Sequence, residues 1–149
     1  MPTLHATVKT MMTGDATLMA LLTGGVFDAD SLDFTGEGAS EAPREADEVV
    51  LKPHAIIHWD GRSPRGNARK VKGKLETLEV YVYQDTGVDV IESAILRLCT
   101  LFEDKYLSVT DRALAHITED SFTSGEIADE AMGNAACKFV RFFIVTAPI

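Results

Sequence analysis

Leu4, Val8, Met11 and Met12 recur at helical spacing behind Thr3, a residue suited to cap a helix, and predict a first helix ending near Met12. Gly14 interrupts that pattern. Asp15 then caps a second short helix, Ala16 to Leu22, which Gly24 and Gly25 end with conformations that glycine tolerates. Val26 and Phe27 read as a short extended segment. From Asp28 to Glu48 the chain holds few large apolar residues and no periodicity, which predicts a long exposed loop that orders on contact with a partner. Val49 to Trp59 reads as a strand, with Pro53 near its start, where a missing N–H matters least.

Asp60 to Gly73, with Gly61, Pro64, Gly66 and Gly73, reads as a flexible connection to a second strand, Leu75 to Gln84. There Leu78, Val80 and Val82 point one way, while Thr77, Glu79, Tyr81 and Tyr83 point the other. The two strands make a hairpin whose tip is longer than usual, and loops of that length usually have a job. Thr86 or Asp85 caps a long helix, Val88 to Phe102, with Val88, Ile91, Ala94, Ile95, Leu98, Leu101 and Phe102 on one apolar face. Ala113 to Phe122 is a third strand and Thr123 to Asn134 a loop. Lys138 to Thr146 is a final strand with bulk on both faces, which places it centrally or under cover on both sides.

This order predicts an α+β fold. A mostly antiparallel sheet of about four strands packs on one long helix, with the short N-terminal helices alongside. A single domain spanning 1–149 is expected, with long loops at about 28–48 and 60–74. One helix over such a sheet leaves the opposite face to water or to a neighbour.

Charge changes this picture. The first long loop carries Asp28, Asp30, Asp33, Glu37, Glu41, Glu45, Asp47 and Glu48 against Arg44 alone. The second carries Arg62, Arg65, Arg69, Lys70, Lys72 and Lys74 against Asp60 alone. A chain with both carries its own electrostatic counterpart, so copies can attract head to tail. These residues, together with Trp59 at the hairpin's shoulder, form the candidate subunit or partner interface. For the basic stretch a solvated tip and a contact with an acidic subunit surface are both open, with DNA phosphate third; Trp59 fits an interface anchor or core packing. The net charge of −9 argues against non-specific binding to nucleic acid or anionic membranes by the chain as a whole. No apolar run reaches the ~20 residues that span a bilayer, and no export signal is expected at the N-terminus.

Signs of chemistry are sparse. His54 and His58 lie on one strand face roughly 13 Å apart, too far for one metal without a bulge. No Cys or Asp stands at ligand spacing beside them, so no metal site is expected. No nucleophile elbow or phosphate-binding loop is present, and Cys99 and Cys137 read as buried free thiols. No catalytic residue and no cofactor is expected, and the chain reads as a structural part before an enzyme.

The order of features resembles the tail-terminator or tail-completion family of long-tailed bacteriophages. The resemblance is carried by Asp15-Ala16-Thr17-Leu18-Met19-Ala20-Leu21-Leu22 leading into Gly24-Gly25-Val26-Phe27-Asp28, and by Lys52-Pro53-His54-Ala55-Ile56-Ile57. Leu78-Glu79-Val80-Tyr81-Val82-Tyr83 running into the Val88–Phe102 helix, and a Phe-rich last strand, Phe139 to Val145, complete it. It implies a phage or prophage structural protein of the virion tail, assembled in the host cytoplasm as a ring, usually hexameric, that caps the tail tube and joins it to the head. The implied partners are further copies of the chain, the tail tube protein, a head-completion or neck protein, and DNA passing through the lumen without sequence-specific binding; no membrane is implied. Another neck or minor tail component of similar fold is the alternative, and a small-ligand-binding or enzymatic α+β domain a third. A closed ring needs two dissimilar, complementary surfaces per subunit, which the acidic and basic stretches supply.

Overall fold

The computed structural model describes residues 2–29, 43, 50–64, 74–129 and 135–149, with the side chains of 61–64, 128 and 129 left aside. Among the described residues three helices and seven strands follow in the order α1 (Leu4–Thr13), α2 (Ala16–Leu21), β1 (Gly25–Asp28), β2 (His54–Pro64), β3 (Lys74–Gln84), α3 (Asp89–Phe102), β4 (Lys105–Tyr106), β5 (Leu114–Thr123), β6 (Ile127–Asp129) and β7 (Ala135–Ala147).

Local chemistry sets the helix ends. The Thr3 hydroxyl accepts from the Ala6 N–H at 3.3 Å and caps α1. Asp15 Oδ1 accepts from the Leu18 N–H at 2.7 Å and caps α2. Asp15 also receives Arg97 of α3, with Nε 3.0 Å from Oδ1 and Nη2 2.6 Å from Oδ2, so one carboxylate both starts α2 and ties it to α3. The cap of α3 differs from the expectation of Thr86 or Asp85. Gln84, the last residue of β3, reaches over the turn, and its Oε1 accepts from the N–H groups of Val90 (3.0 Å) and Ile91 (3.3 Å). Its Nε2 donates to Asp89 Oδ1 at 2.7 Å. A long amide can thus satisfy the free N–H groups that a short cap residue otherwise serves.

The hydrogen bond from Arg97 holds the Asp15 carboxyl below its ordinary value. A carboxylate depressed in the folded state contributes stability above its unfolded pKa, about 3.9 for Asp, and loses that contribution as pH falls through the folded value. Asp15→Asn is therefore expected to lower stability at neutral pH and to cost less in acid, where the wild-type carboxylate is itself protonated. Urea melts at the two pH values check this, and an equal loss at both would refute it.

The sheet has more strands than the four expected. Six run in the order β1-β2-β3-β7-β5-β4, and β6 pairs separately with β7. All pairs are antiparallel except β1 with β2, where Val26 lies opposite Ala55 and Phe27 opposite Ile56. The extra strands are short ones that periodicity cannot reveal. β2 begins at His54, after Pro53, which offers no N–H; of the expected start, Leu51 makes only an isolated bridge and Val49 lies outside the described residues. It also continues past Asp60 to Pro64, since pairing with β3 outweighs the turn residues and a register shift between Asp60 and Ser63 absorbs Gly61 and Arg62. β7 is central, as its two-sided bulk implies, lying between β3 and β5.

The main core lies between the helices and one sheet face. Leu4, Val8 and Met12 of α1, Leu18 of α2, and Ile91, Ala94, Ile95, Leu98 and Phe102 of α3 pack there. They meet Ala55, Ile57, Leu78, Val80, Val82, Ile117, Val140, Phe142 and Ile144 of the sheet. Inside it sits a buried ion pair at an apolar slot of β3. Glu76 takes Arg112 in a bidentate grip, with Nε 2.8 Å from Oε2 and Nη2 2.9 Å from Oε1. Arg112 Nη1 also lies 2.9 Å from Asp111 Oδ2, and Asp111 Oδ1 accepts from the Leu4 N–H at 2.9 Å. The network pins the start of α1 to the middle of the sheet. A second, smaller cluster occupies the opposite face and joins Leu51, Ile56, Tyr83, Ala135 and Cys137.

Candidate functional site

Parallel pairing of β1 with β2 decides where the charged stretches begin. Asp28 ends β1 opposite Ile57, so β1 runs in the same direction as β2 up to the first residue of the acidic stretch. Pro43 lies back at the other end of β2. Its carbonyl accepts from the Lys52 N–H at 2.9 Å, and a Cβ added to Gly24 would stand only 2.8 Å from its ring, so only glycine fits at position 24.

Among the predicted interface residues, Asp28 binds Lys9 Nζ of α1 at 2.9 Å, with both side chains about 40% exposed. An exposed pair of this kind is worth little and leaves Asp28 open to exchange partners. Lys74 is exposed at the start of β3, opposite Pro64 on one side and Thr146 on the other. Trp59 is half-buried on the core side of β2, where His5 stacks on it with ring centroids 3.9 Å apart and planes 12° apart. Its Nε1 is buried without a hydrogen bond. Core packing thus accounts for most of Trp59. Arg62 belongs to β2, though its side chain lies outside the described residues, as do Asp30, Asp33, Glu37, Glu41, Glu45, Asp47, Glu48, Arg65, Arg69, Lys70 and Lys72.

Beside Trp59 a cleft of about 610 Å³ opens between α1 and the ends of β1 and β2. Thr3, His5 and Lys9 form one wall, and Asp28, His58 and Trp59 the other. Burial lowers the pKa of His5, which favours its neutral form against the indole. Among the described residues no group of three His, Cys, Asp or Glu side chains is placed to hold a metal ion. Cys99 is half-buried, and burial pushes its thiol up to about 11, away from the reactive thiolate. Cys137 is buried and, like Cys99, not in a disulfide. Among the described residues no helix is long and apolar enough to cross a membrane.

The sheet face away from the helices carries a feature that residue patterns alone leave scattered. Strand register lines up His54 and Tyr83, stacked at 5.0 Å; His58 and Tyr81, at 4.6 Å; and Tyr81 and Phe139, at 5.0 Å. Phe122 of β5 follows, 6.1 Å from Phe139. Arg141 lies over both phenylalanine rings, 5.8 and 5.4 Å from their centroids, and Nη2 reaches Glu79 at 3.5 Å. Farther along, Tyr106 stacks on His116 at 4.0 Å, and His116 Nε2 lies 3.0 Å from Asp104. The sequence placed Tyr81 with Tyr83, and His54 with His58, on shared strand faces, but did not join them to Phe139, Phe122 and Arg141. The remaining members become visible once β7 is recognised as the strand joining β3 to β5. Aromatic rings with one cation, partly open to solvent, suit protein contact more than catalysis.

The fold and this face define a helix-backed, largely antiparallel α+β sheet protein with a half-open aromatic surface. It is similar to a chain in the virion of a native gene transfer agent (GTA) particle, with a TM-score of 0.59 at 13% sequence identity. The likeness covers 99% of this chain and 96% of that one, and at such identity it is a likeness of fold. No protein-family model matches the sequence, and no curated protein does.

Proposed function

We propose that this chain is a structural component of a phage-like virion, and specifically a tail terminator: a ring, hexameric in this reading, that caps the tail tube and joins it to the head. The observation carrying this reading is the likeness of fold to a chain of the gene transfer agent virion over 99% of this chain and 96% of that one. The sequence resemblance to tail terminators narrows the virion role to the ring, and the opposite charges of Asp28–Glu48 and Arg62–Lys74 supply the dissimilar flanks that a closing heterologous interface needs. In this reading tube protein and neck protein bind the two ends, and DNA passes through the hole without base-specific contact. A different neck or minor tail component remains the second reading, because the neighbour is described as part of the virion without a stated position in it.

Negative-stain microscopy with size-exclusion chromatography and light scattering tests the proposal. Hollow rings that attach to the ends of tail tubes are expected. Rings that bind only head-side proteins favour the second reading, and particles that remain single at high concentration defeat both. Reversing Arg65, Arg69 and Lys70 together to glutamate is expected to leave the circular dichroism spectrum unchanged while shifting the ring toward monomer. Raising salt should weaken wild-type association in the same direction, since exposed charges are screened beyond ~8 Å at physiological ionic strength. Rings indifferent to both changes would remove the electrostatic account.

A further inference from the structure

We propose that the outer edge of β5, from Glu119 to Thr123, is the surface on which a second copy of the chain docks its basic β2–β3 connection, Arg65 to Lys74. The inference rests on the ring reading above and puts the β5 edge in place of the Asp28–Glu48 stretch as the acceptor of the basic connection.

The edge is open. β4 covers β5 only through Lys105 opposite Ile117 and Tyr106 opposite His116, and the last backbone bond on that side runs from the Asp104 N–H to the Thr118 carbonyl at 3.3 Å. Beyond Thr118 no strand among the described residues pairs with the outer side of β5; on its inner side pairing with β7 shifts register between Ile117 and Ser121, so Glu119 and Asp120 lie in a bulge, and resumes from Ser121 to Thr123. Outward N–H and C=O groups of such an edge are a ready docking site for another chain. Apolar surface accompanies them: Phe122 is 51% exposed, and it continues through Phe139 and Arg141 into the aromatic face. Arg141 Nε is buried there without a hydrogen bond.

Charge selects the occupant. Glu119 and Asp120 are exposed on the edge, Glu103 lies against Ser121, Asp104 against Thr118, and Glu126 follows β5; Lys105 and Arg141 are the nearby cations, so acidic groups outnumber basic ones. Two copies of this edge would repel, so the protein does not pair edge to identical edge, a common way of protecting an open strand. A polyanion such as DNA is excluded for the same reason. The complementary segment within the chain is Arg65-Gly66-Asn67-Ala68-Arg69-Lys70-Val71-Lys72-Gly73-Lys74, with five basic residues and no acidic one. In the sheet order β7 stands between β3 of that hairpin and β5, so hairpin and acceptor edge belong to different parts of the sheet. A head-to-tail contact between two such dissimilar parts is the kind that closes a circle.

A charge swap tests the contact. Glu119→Lys with Asp120→Lys, and separately Arg69→Glu with Lys70→Glu, are each expected to weaken self-association roughly tenfold or more without loss of fold. The four changes together, in one chain, should restore rings. Wild-type rings that persist in Glu119→Lys/Asp120→Lys overturn the contact and leave the ring reading standing. A combined variant no better than either pair overturns the assigned pairing. A wild-type protein that never self-associates removes the ring and this contact together.

Discussion

Replacing Arg112 with alanine is expected to destabilise the protein by about 3–5 kcal/mol, the cost of leaving a buried charge without its partner. The side chains of Glu76 and Arg112 are only 4% and 7% exposed, and the carboxylate spends both oxygens on the guanidinium. Without Arg112, Glu76 loses the bidentate grip that holds its charge against the sheet core, and Asp111 loses the cation that steadies its bond to the start of α1. For a chain of this size the loss corresponds to a fall in Tm on the order of 10 °C. Changing both partners to methionine should recover much of it, because no charge is then stranded. Chemical denaturation of the two variants decides the matter; a loss below about 1 kcal/mol for Arg112→Ala would mean that water replaces the missing partner.

Phe142→Ala is expected to cost a similar 3–5 kcal/mol by a different route, lost burial plus the cavity left behind. Phe142 is fully buried near the centre of β7, opposite Leu78 of β3 and Ser121 of β5, and its ring meets that of Phe102 edge-on at 5.3 Å. It therefore joins the sheet to α3 at the point where few neighbours are free to collapse. Phe122→Ala, one strand away but 51% exposed, should change stability by no more than about 0.5 kcal/mol. Parallel urea titrations test the contrast, and equal losses would show that Phe122 supports the core instead of serving as free contact surface.

Much of the fold was legible because local and tertiary signals agree. The alternation Leu78, Val80, Val82 and the helical recurrence from Ile91 to Phe102 mark the same residues that the core buries. Thr3 and Asp15 cap as their side chains imply. Departures occur where a distant partner decides. Gln84 caps α3 only because β3 ends within reach, and β4, with two residues, exists only as a complement to His116 and Ile117. Glu76 occupies a slot that alternation assigns to an apolar side chain, and that mismatch was the available sign of a buried partner; which arginine supplies it depends on a loop that folds back from 36 positions away. Of the candidate interface, composition exposed the charged stretches, whereas the aromatic face required strand order.

The position of β7 has a consequence for synthesis. It bonds to β3, β5 and β6, yet residues 135–147 are the last of the sheet to leave the ribosome. Until then β3 and β5 have no strand between them, and the apolar side of the β2–β3 hairpin lacks its central neighbour. Closure of the sheet therefore waits for the last of its strands, and the nascent chain passes through a stage with open strand edges, when crowding by other unfinished copies favours wrong pairings.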